Sequence, residues 1–189
     1  MRHLILFALA FLISFSATAG VMELGASYST RNSSIDKDNY TENTSWTGSF
    51  AWYFLEMSAI EFSYTKGQAT QSLKAVADPN ATLYYADFEM FGADLVITFA
   101  GKTSVLQPFV RGGFARLKKE FYKEDTSNGQ ITAYGEPVDQ VVPSYGAGLK
   151  INITQSFNIK GSYDRWRSGT NNDKDIWDDA IKGGISWYF

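Results

Sequence analysis

Ile185-Ser186-Trp187-Tyr188-Phe189 ends the chain, with Ile185, Trp187 and Phe189 on one parity and Ser186 and Tyr188 on the other. Successive side chains of a strand point to opposite faces, so this spacing predicts a strand with one wholly apolar face that finishes on an aromatic residue. The opposite end carries an address. Arg2 and His3 precede an uninterrupted apolar run over residues 4–13, and Ala17-Thr18-Ala19 follows as a small-x-small cleavage site. A membrane-spanning helix needs about 20 apolar residues to cross about 30 Å of hydrocarbon, and this run is too short. An export signal over residues 1–19, cleaved near Ala19, is therefore expected, leaving 20–189 as the mature domain. An exported chain that ends in an aromatic strand predicts a β-barrel in which that strand makes the closure.

Of 189 residues, 170 would remain, which suits a single domain. No Pro/Ser linker, low-complexity tract or charge block divides them, and the four prolines are scattered. Arg2 is the one ionised residue in the leader, so the mature charge is 16 minus 20, or −4. That balance leaves no basic footprint for nucleic acid. The absence of cysteine excludes a small exported fold stapled by disulfides, so stability must come from elsewhere, and a closed hydrogen-bonded sheet is one such source.

Period-two alternation recurs throughout. From Trp46 to Phe54, Trp46, Phe50, Trp52 and Phe54 share one face while Thr47, Ser49 and Ala51 share the other. Ile60, Phe62 and Tyr64 then oppose Glu61, Ser63 and Thr65, and the short link between the two segments predicts a hairpin. Eight such segments are expected, over 21–31, 44–55, 58–67, 82–99, 104–118, 139–153, 156–167 and 177–189. Tight links around Glu56-Met57, Gly101-Lys102 and Thr154-Gln155 alternate with long polar ones over 32–43, 68–80, 119–138 and 168–176. Short periplasmic turns and long outer loops are the plan of a transmembrane barrel. The predicted fold is all-β, an eight-stranded antiparallel up-and-down transmembrane β-barrel.

Alternation alone does not say which face meets water. Aromatics concentrated near strand ends, strands of about ten residues and the export signal favour the membrane over a soluble barrel. The apolar face then meets lipid, and Glu23, Glu61, Asp87, Glu89, Arg111, Lys150, Lys160, Asp164 and Lys182 are expected inside. Eight strands leave an interior just wide enough for side chains. Buried charges are costly alone, so these groups are expected to pair, giving a packed lumen with no continuous aqueous channel. Two strands resist the pattern. Phe88 and Met90 share a parity with Asp94 while Phe91, Leu95 and Ile97 take the other, so a bulge is expected near Gly92. Arg111 is taken inward on charge, although Phe109 and Leu117 share its parity.

Lys182, Gly184, Trp187 and Phe189 resemble the polar-x-Gly-x-x-hydrophobic-x-hydrophobic signal read by the barrel-assembly machinery in outer-membrane proteins. Pro108-Phe109-Val110-Arg111-Gly112-Gly113-Phe114 and Tyr145-Gly146-Ala147-Gly148-Leu149-Lys150 are similar to the glycine-rich strands of the small eight-stranded barrels related to OmpX, the OmpA membrane domain and the opacity proteins. The resemblance implies a location in the outer membrane of a Gram-negative cell, contact with its lipid and lipopolysaccharide, and assembly by that machinery. No residues after Phe189 correspond to the peptidoglycan-binding domain of OmpA-like proteins, so that role is not implied.

His3 is the lone histidine and leaves with the leader, and no cysteine exists. Mechanisms built on Ser-His-acid, His-Asp or Cys-His groups are thereby closed, as are zinc sites of the His/Cys type. A carboxylate pair such as Glu61 with Glu89 is more simply a structural ion-pair element. No catalytic residue, cofactor or metal is expected. The acidic run Asp173-Lys174-Asp175-Ile176-Trp177-Asp178-Asp179 lacks the glycine turn and final glutamate of a calcium loop. Lys118, Lys119 and Lys123, beside Phe121 and Tyr122, form a basic-aromatic edge suited to lipopolysaccharide phosphates. The leading expectation is a structural or surface-interaction barrel displaying four loops to an unknown extracellular ligand. The alternatives are OmpW-like passage of small or hydrophobic molecules and a soluble exported lipocalin-like binder.

Overall fold

The computed structural model describes residues 21–34, 40–73, 82–101, 103–125, 130–171 and 174–189. The expected leader, Gly20 and Asp173 lie outside them. The described residues form nine strands and no helix: β1 (Met22–Ser34), β2 (Tyr40–Leu55), β3 (Ser58–Leu73), β4 (Thr82–Thr98), β5 (Leu106–Asp125), β6 (Gln130–Ala133), β7 (Val138–Asn152), β8 (Phe157–Asn171) and β9 (Lys174–Tyr188). All except β6 join one antiparallel ring, β1-β2-β3-β4-β5-β7-β8-β9, in which β9 pairs back onto β1. The sheet is thus the closed eight-stranded barrel that its alternation predicts. Closure is obligatory, because a backbone N–H or C=O left bare in hydrocarbon costs several kcal/mol. The last hydrogen bonds of the ring join Met22 and Phe189, N to O in both directions, at 3.0 and 2.9 Å.

Strands continue past the boundaries read from sequence, always at the end that carries the long connections. Tyr40 to Asn43, Gln68 to Leu73 and Lys119 to Asp125 are strand where loop was expected. Polar residues on both faces hid them: above the bilayer neither face needs to be apolar. β6 pairs with Tyr122 to Asp125 of β5 on the edge that β7 holds lower down. It is an interrupted continuation of β7, broken where Gly135 takes a φ of 80° and Pro137 has no N–H to give.

Outward side chains are apolar over the middle of every strand. Phe114 and Ile181 are 65% and 72% exposed, a surface that belongs in lipid and not in water, which argues against the lipocalin-like alternative. Tyr28, Trp46, Tyr64, Phe91, Phe114, Tyr145 and Trp177 ring the outer margin of this band, with Trp46 against Tyr64 and Tyr64 against Phe91 at centroid distances of 5.4 and 4.7 Å. Trp52, Phe54, Phe99, Phe157 and Trp187 ring the inner margin. Such belts place amphipathic rings at headgroup level.

The expected bulge at Gly92 is absent. β4 pairs with β3 and with β5 without a register shift through that residue. Phe88 and Met90 point into the lumen, on the parity of Asp94 and Val96, and Asp87 and Glu89 therefore point out. The irregularities lie elsewhere, between Tyr53 and Leu55 and between Arg167 and Gly169.

Candidate functional site

The lumen is stacked in layers. Nearest the short turns, Ala51, Tyr53, Ala59, Val96, Phe109 and Tyr188 pack as an apolar cluster. Above it lies a band of ionised side chains, and above that a second apolar cluster of Phe88, Met90, Ala115, Leu117, Val142, Trp166 and Ala180. Room for these groups comes from glycine on the facing strand. Phe109 and Arg111 of β5 stand opposite Gly148 and Gly146 of β7. A Cβ on Gly148 would lie 2.5 Å from the Phe109 ring, and one on Gly146 would meet the Asp164 carboxylate. Gly67 does the same for Phe88, whose ring a Cβ there would reach at 2.5 Å.

Hydrogen bonds and ion pairs cross-link the ionic band in two groups, one around Lys150 and one around Arg111. Lys150 Nζ donates to Glu23 Oε2 and to the Tyr53 hydroxyl, both at 2.6 Å, and Tyr53 donates to the same carboxylate at 2.6 Å. The ammonium also lies over the rings of Tyr53, Phe109 and Tyr188 at 5.3, 5.6 and 5.7 Å. Arg111 spans two acids, reaching Glu61 Oε1 at 2.5 Å and Asp164 Oδ1 at 2.8 Å. Lys160 meets Glu61 Oε2 at 2.8 Å, and Lys182 meets Asp164 at 3.4 Å. Asp94 accepts from Ser144 Oγ at 2.8 Å. Four acids thus face four bases, so the band is neutral. The voids beside Arg111 measure only about 10 and 20 Å3, space for a water each at most.

Seven of the nine charges read as inward meet here: Glu23, Glu61, Arg111, Lys150, Lys160, Asp164 and Lys182. Asp87 and Glu89 correct that reading. They lie on the outer surface above the aromatic belt, where Gln68 donates to Asp87 at 2.7 Å and Lys66 pairs with Glu89 at 3.1 Å. An outward carboxylate is cheap there because that part of the wall stands in headgroups or water. Glu61 and Glu89 are accordingly on opposite faces and form no carboxylate pair. Asp94, left out of the inward charge set, takes the vacated place.

The basic edge is also divided. Lys118 faces out, whereas Lys119 turns inward to Asp178 at 2.9 Å and Lys123 shares its inward parity. A strand cannot present neighbours on one face, and these residues belong to β5, not to a loop. Arg116 joins Lys118 on the outside and forks onto Asp139 with two bonds of 2.8 Å. The hydrogen bonds to its partner hold the Asp139 carboxyl below the usual carboxylate range, and Lys66 does the same for Glu89. Tyr85 donates to Glu124 at 2.6 Å, which pushes its hydroxyl up to about 12.

Of the terminal motif, Lys182 is in the ionic band, and Trp187 and Phe189 face outward, Trp187 against Phe157 at 6.2 Å. Gly184 lies where β9 crosses close to β1, and a Cβ there would meet the Ala26 carbonyl and stand 2.6 Å from Ser27 Cα.

Two cavities open at the outer end. One of about 210 Å3 has Phe88 and Trp166 in its lining and the ion pairs Arg31–Asp179 (2.8 Å) and Lys119–Asp178 at its edge. It adjoins the place where β1 and β9 part, since their pairing stops at Tyr28 and Gly183. The other, about 430 Å3, is a cleft among Tyr84, Tyr85, Tyr122 and Tyr134.

The sequence model of the family described as outer membrane protein beta-barrel domain matches residues 5–189. No curated protein matches the sequence. Among solved structures, the chain is similar to the outer membrane protein OprG from Pseudomonas aeruginosa (13% identity, TM-score 0.59, 90% of this chain and 96% of that one). It is similar also to Neisserial surface protein A (14%, 0.56, 90% and 98%). A third is Ail, the attachment invasion locus protein of Yersinia pestis, in complex with the heparin analogue sucrose octasulfate (17%, 0.54, 91% and 100%). At these identities the likeness is one of fold.

Proposed function

The chain belongs to the outer membrane protein beta-barrel domain family, and from that premise we propose a non-enzymatic scaffold that displays four long connections at the cell surface for interaction with an extracellular ligand. The observation that carries this reading is the filled lumen: two apolar layers enclose a neutral, cross-linked ionic band whose voids do not exceed about 20 Å3. A wall so braced suits display better than passage. The leader over 1–19 is cleaved near Ala19, and Lys182, Gly184, Trp187 and Phe189 present the chain to the barrel-assembly machinery. Lys118, with Arg116 and Lys66 on the same outer belt, contacts lipopolysaccharide phosphates; Lys119 and Lys123, turned inward, do not.

Planar bilayer recording of the purified barrel, together with protease digestion of intact cells, tests the reading. Silence in the bilayer and cleavage within the long connections are the expected results. A steady large conductance overturns it. A second reading, passage of small or hydrophobic molecules, is favoured by the parting of β1 and β9 above Tyr28 and Gly183. Uptake by liposomes carrying the barrel, abolished by a disulfide across that seam, would support passage instead.

A further inference from the structure

At its outer end the β8–β9 hairpin is bonded into the sheet on neither side. β7 and β8 pair only as far as Ser144 and Trp166, and β1 and β9 only as far as Tyr28 and Gly183. Beyond those points β8 and β9 continue to pair with each other, from Arg167 with Trp177 to Asn171 with Lys174. Among the described residues no backbone hydrogen bond crosses either parting. On the β7 side the cause is local. Pro143 has no N–H to offer at the first position past Ser144, and the register shift between Arg167 and Gly169 displaces the strand that should face it. Both partings begin beside rings of the outer aromatic margin, Tyr28 and Tyr145, where water first becomes able to satisfy a bare strand edge.

Side chains close what the backbone leaves open. On the β1 side Arg31 pairs with Asp179 at 2.8 Å, on the β7 side Gln140 Nε2 donates to the Ser168 carbonyl at 3.3 Å, and across the mouth Lys119 of β5 pairs with Asp178 at 2.9 Å. Such contacts are weak where water competes for them. Three of them hold the hairpin far less firmly than a backbone ladder would, whereas its own ladder keeps the two strands together. Its base is anchored at the belt, with Trp177 against Tyr145 at 5.5 Å and the Arg165 guanidinium over the Trp177 ring at 5.6 Å. Beneath the hairpin lies the cavity of about 210 Å3. Asp178, Asp179 and Ala180 line it from the hairpin, and Arg31, Phe88 and Lys119 line it from the other walls. An outward swing of the hairpin therefore breaks the ties and opens the cavity in one movement.

We propose that the outer part of the β8–β9 hairpin is a hinged flap that controls access to this cavity, shut in the arrangement described and locked by Arg31–Asp179, Lys119–Asp178 and Gln140–Ser168. Two of the locks are ionic, so salt releases the flap. The proposal rests on the surface-display reading only for the side of the membrane from which the cavity is reached.

The absence of cysteine leaves the chain free for paired spin labels. Double electron–electron resonance on the purified barrel in nanodiscs, with labels at Ile176→Cys on the flap and Gln71→Cys on β3, reads the distance across the mouth. Hydrogen exchange followed by NMR reads the ladder within the flap. Two distance populations are expected, the longer growing about two- to fivefold in each of Arg31→Gln, Lys119→Gln and Gln140→Ala. It should grow also between about 0.05 and about 1 M salt, and the salt response should vanish when Arg31→Gln and Lys119→Gln are combined. Amides bonded between β8 and β9 should keep their protection throughout. Heat-modifiable gel mobility confirms that each variant is a folded barrel. One unchanging distance overturns the proposal, as do two populations whose ratio ignores all three variants. A long distance that appears only with loss of the β8–β9 protection also overturns it, because that is fraying of strand ends and not the swing of a flap. The assay uses purified protein and is independent of orientation: loops digested from the periplasmic side would sink the display reading and leave this result standing.

Discussion

Replacing Lys150 by Met leaves the Glu23 carboxylate buried without its cation. Lys150 and Glu23 are 1% and 2% exposed at their side chains and stand 2.6 Å apart, on strands β7 and β1, which β8 and β9 separate in the ring. Two unit charges about 3 Å apart attract by roughly 5 kcal/mol at an effective dielectric near 20, and an orphaned buried charge typically costs about 3–5 kcal/mol. Methionine keeps the length of the stem and its packing against Tyr53, Phe109 and Tyr188, so little of the loss arises from a cavity. Lys150→Met is therefore expected to destabilise the barrel by about 3–5 kcal/mol, and Glu23→Gln by a similar amount. The double variant removes both charges together and retains the Tyr53 hydrogen bond. It should cost less than the sum of the singles by about 2–3 kcal/mol, the signature of direct coupling. Urea titrations of the barrel in lipid vesicles, followed by tryptophan fluorescence, measure all four corners of the cycle. Additivity within about 0.5 kcal/mol would refute the idea that this pair braces the lumen.

Gly148→Ala places a methyl group against the Phe109 ring and is expected to cost about 1–3 kcal/mol by overpacking; Phe109→Leu in the same chain should recover part of that in the same urea assay. The Asp139 carboxyl, held below its ordinary value of 3.8 by hydrogen bonds from Arg116, contributes stability that is complete above that value and is lost as pH falls through its folded midpoint. A carboxyl-carbon NMR titration in micelles should show the low midpoint rising towards 3.8 in Arg116→Gln, and a midpoint indifferent to that change would deny the contact. Phe189→Ala combined with Trp187→Ala should leave chains in the periplasm that lack heat-modifiable mobility, whereas normal yields of folded barrel would remove the assembly role of the last strand.

Strand positions and hairpin order were legible because lipid imposes apolar side chains at every second residue and the inner turns are short. The inward charges of the mid-membrane band were legible for the same reason, since Glu61 or Lys150 has no tolerable place in hydrocarbon. The rule fails where the bilayer ends. Asp87 and Glu89 face out at no great cost there, while Phe88 and Met90 face in to fill the lumen, so charge and hydropathy exchange sides without any bulge. Lys119 was misplaced by composition, because three lysines near two aromatics look like a patch until strand parity separates them. Trp166 was legible in principle: it shares the parity of Lys160, Ser162 and Asp164, but an aromatic near a strand end is ordinarily an interfacial anchor. Nothing in the sequence announces the parting of β1 and β9, which depends on how far two sequence-distant strands stay in register.

Most partners in the ionic band are separated by wide stretches of chain, Lys182 and Asp164 on the adjacent strands β9 and β8 being the exception. Glu23 waits for Lys150, Glu61 for Arg111 and Lys160, and none of these pairs joins strands adjacent in the ring. Hairpins growing one after another can complete their backbone ladders while every one of these charges remains solvated and single. Only when the sheet curls round on itself, and Phe189 meets Met22, do Glu23 and Glu61 come within reach of these bases together. The order of events is thereby built into the connectivity: an incomplete barrel keeps a wet interior, drying follows the final seam, and strand-by-strand opening from the finished state forfeits several ion pairs at once.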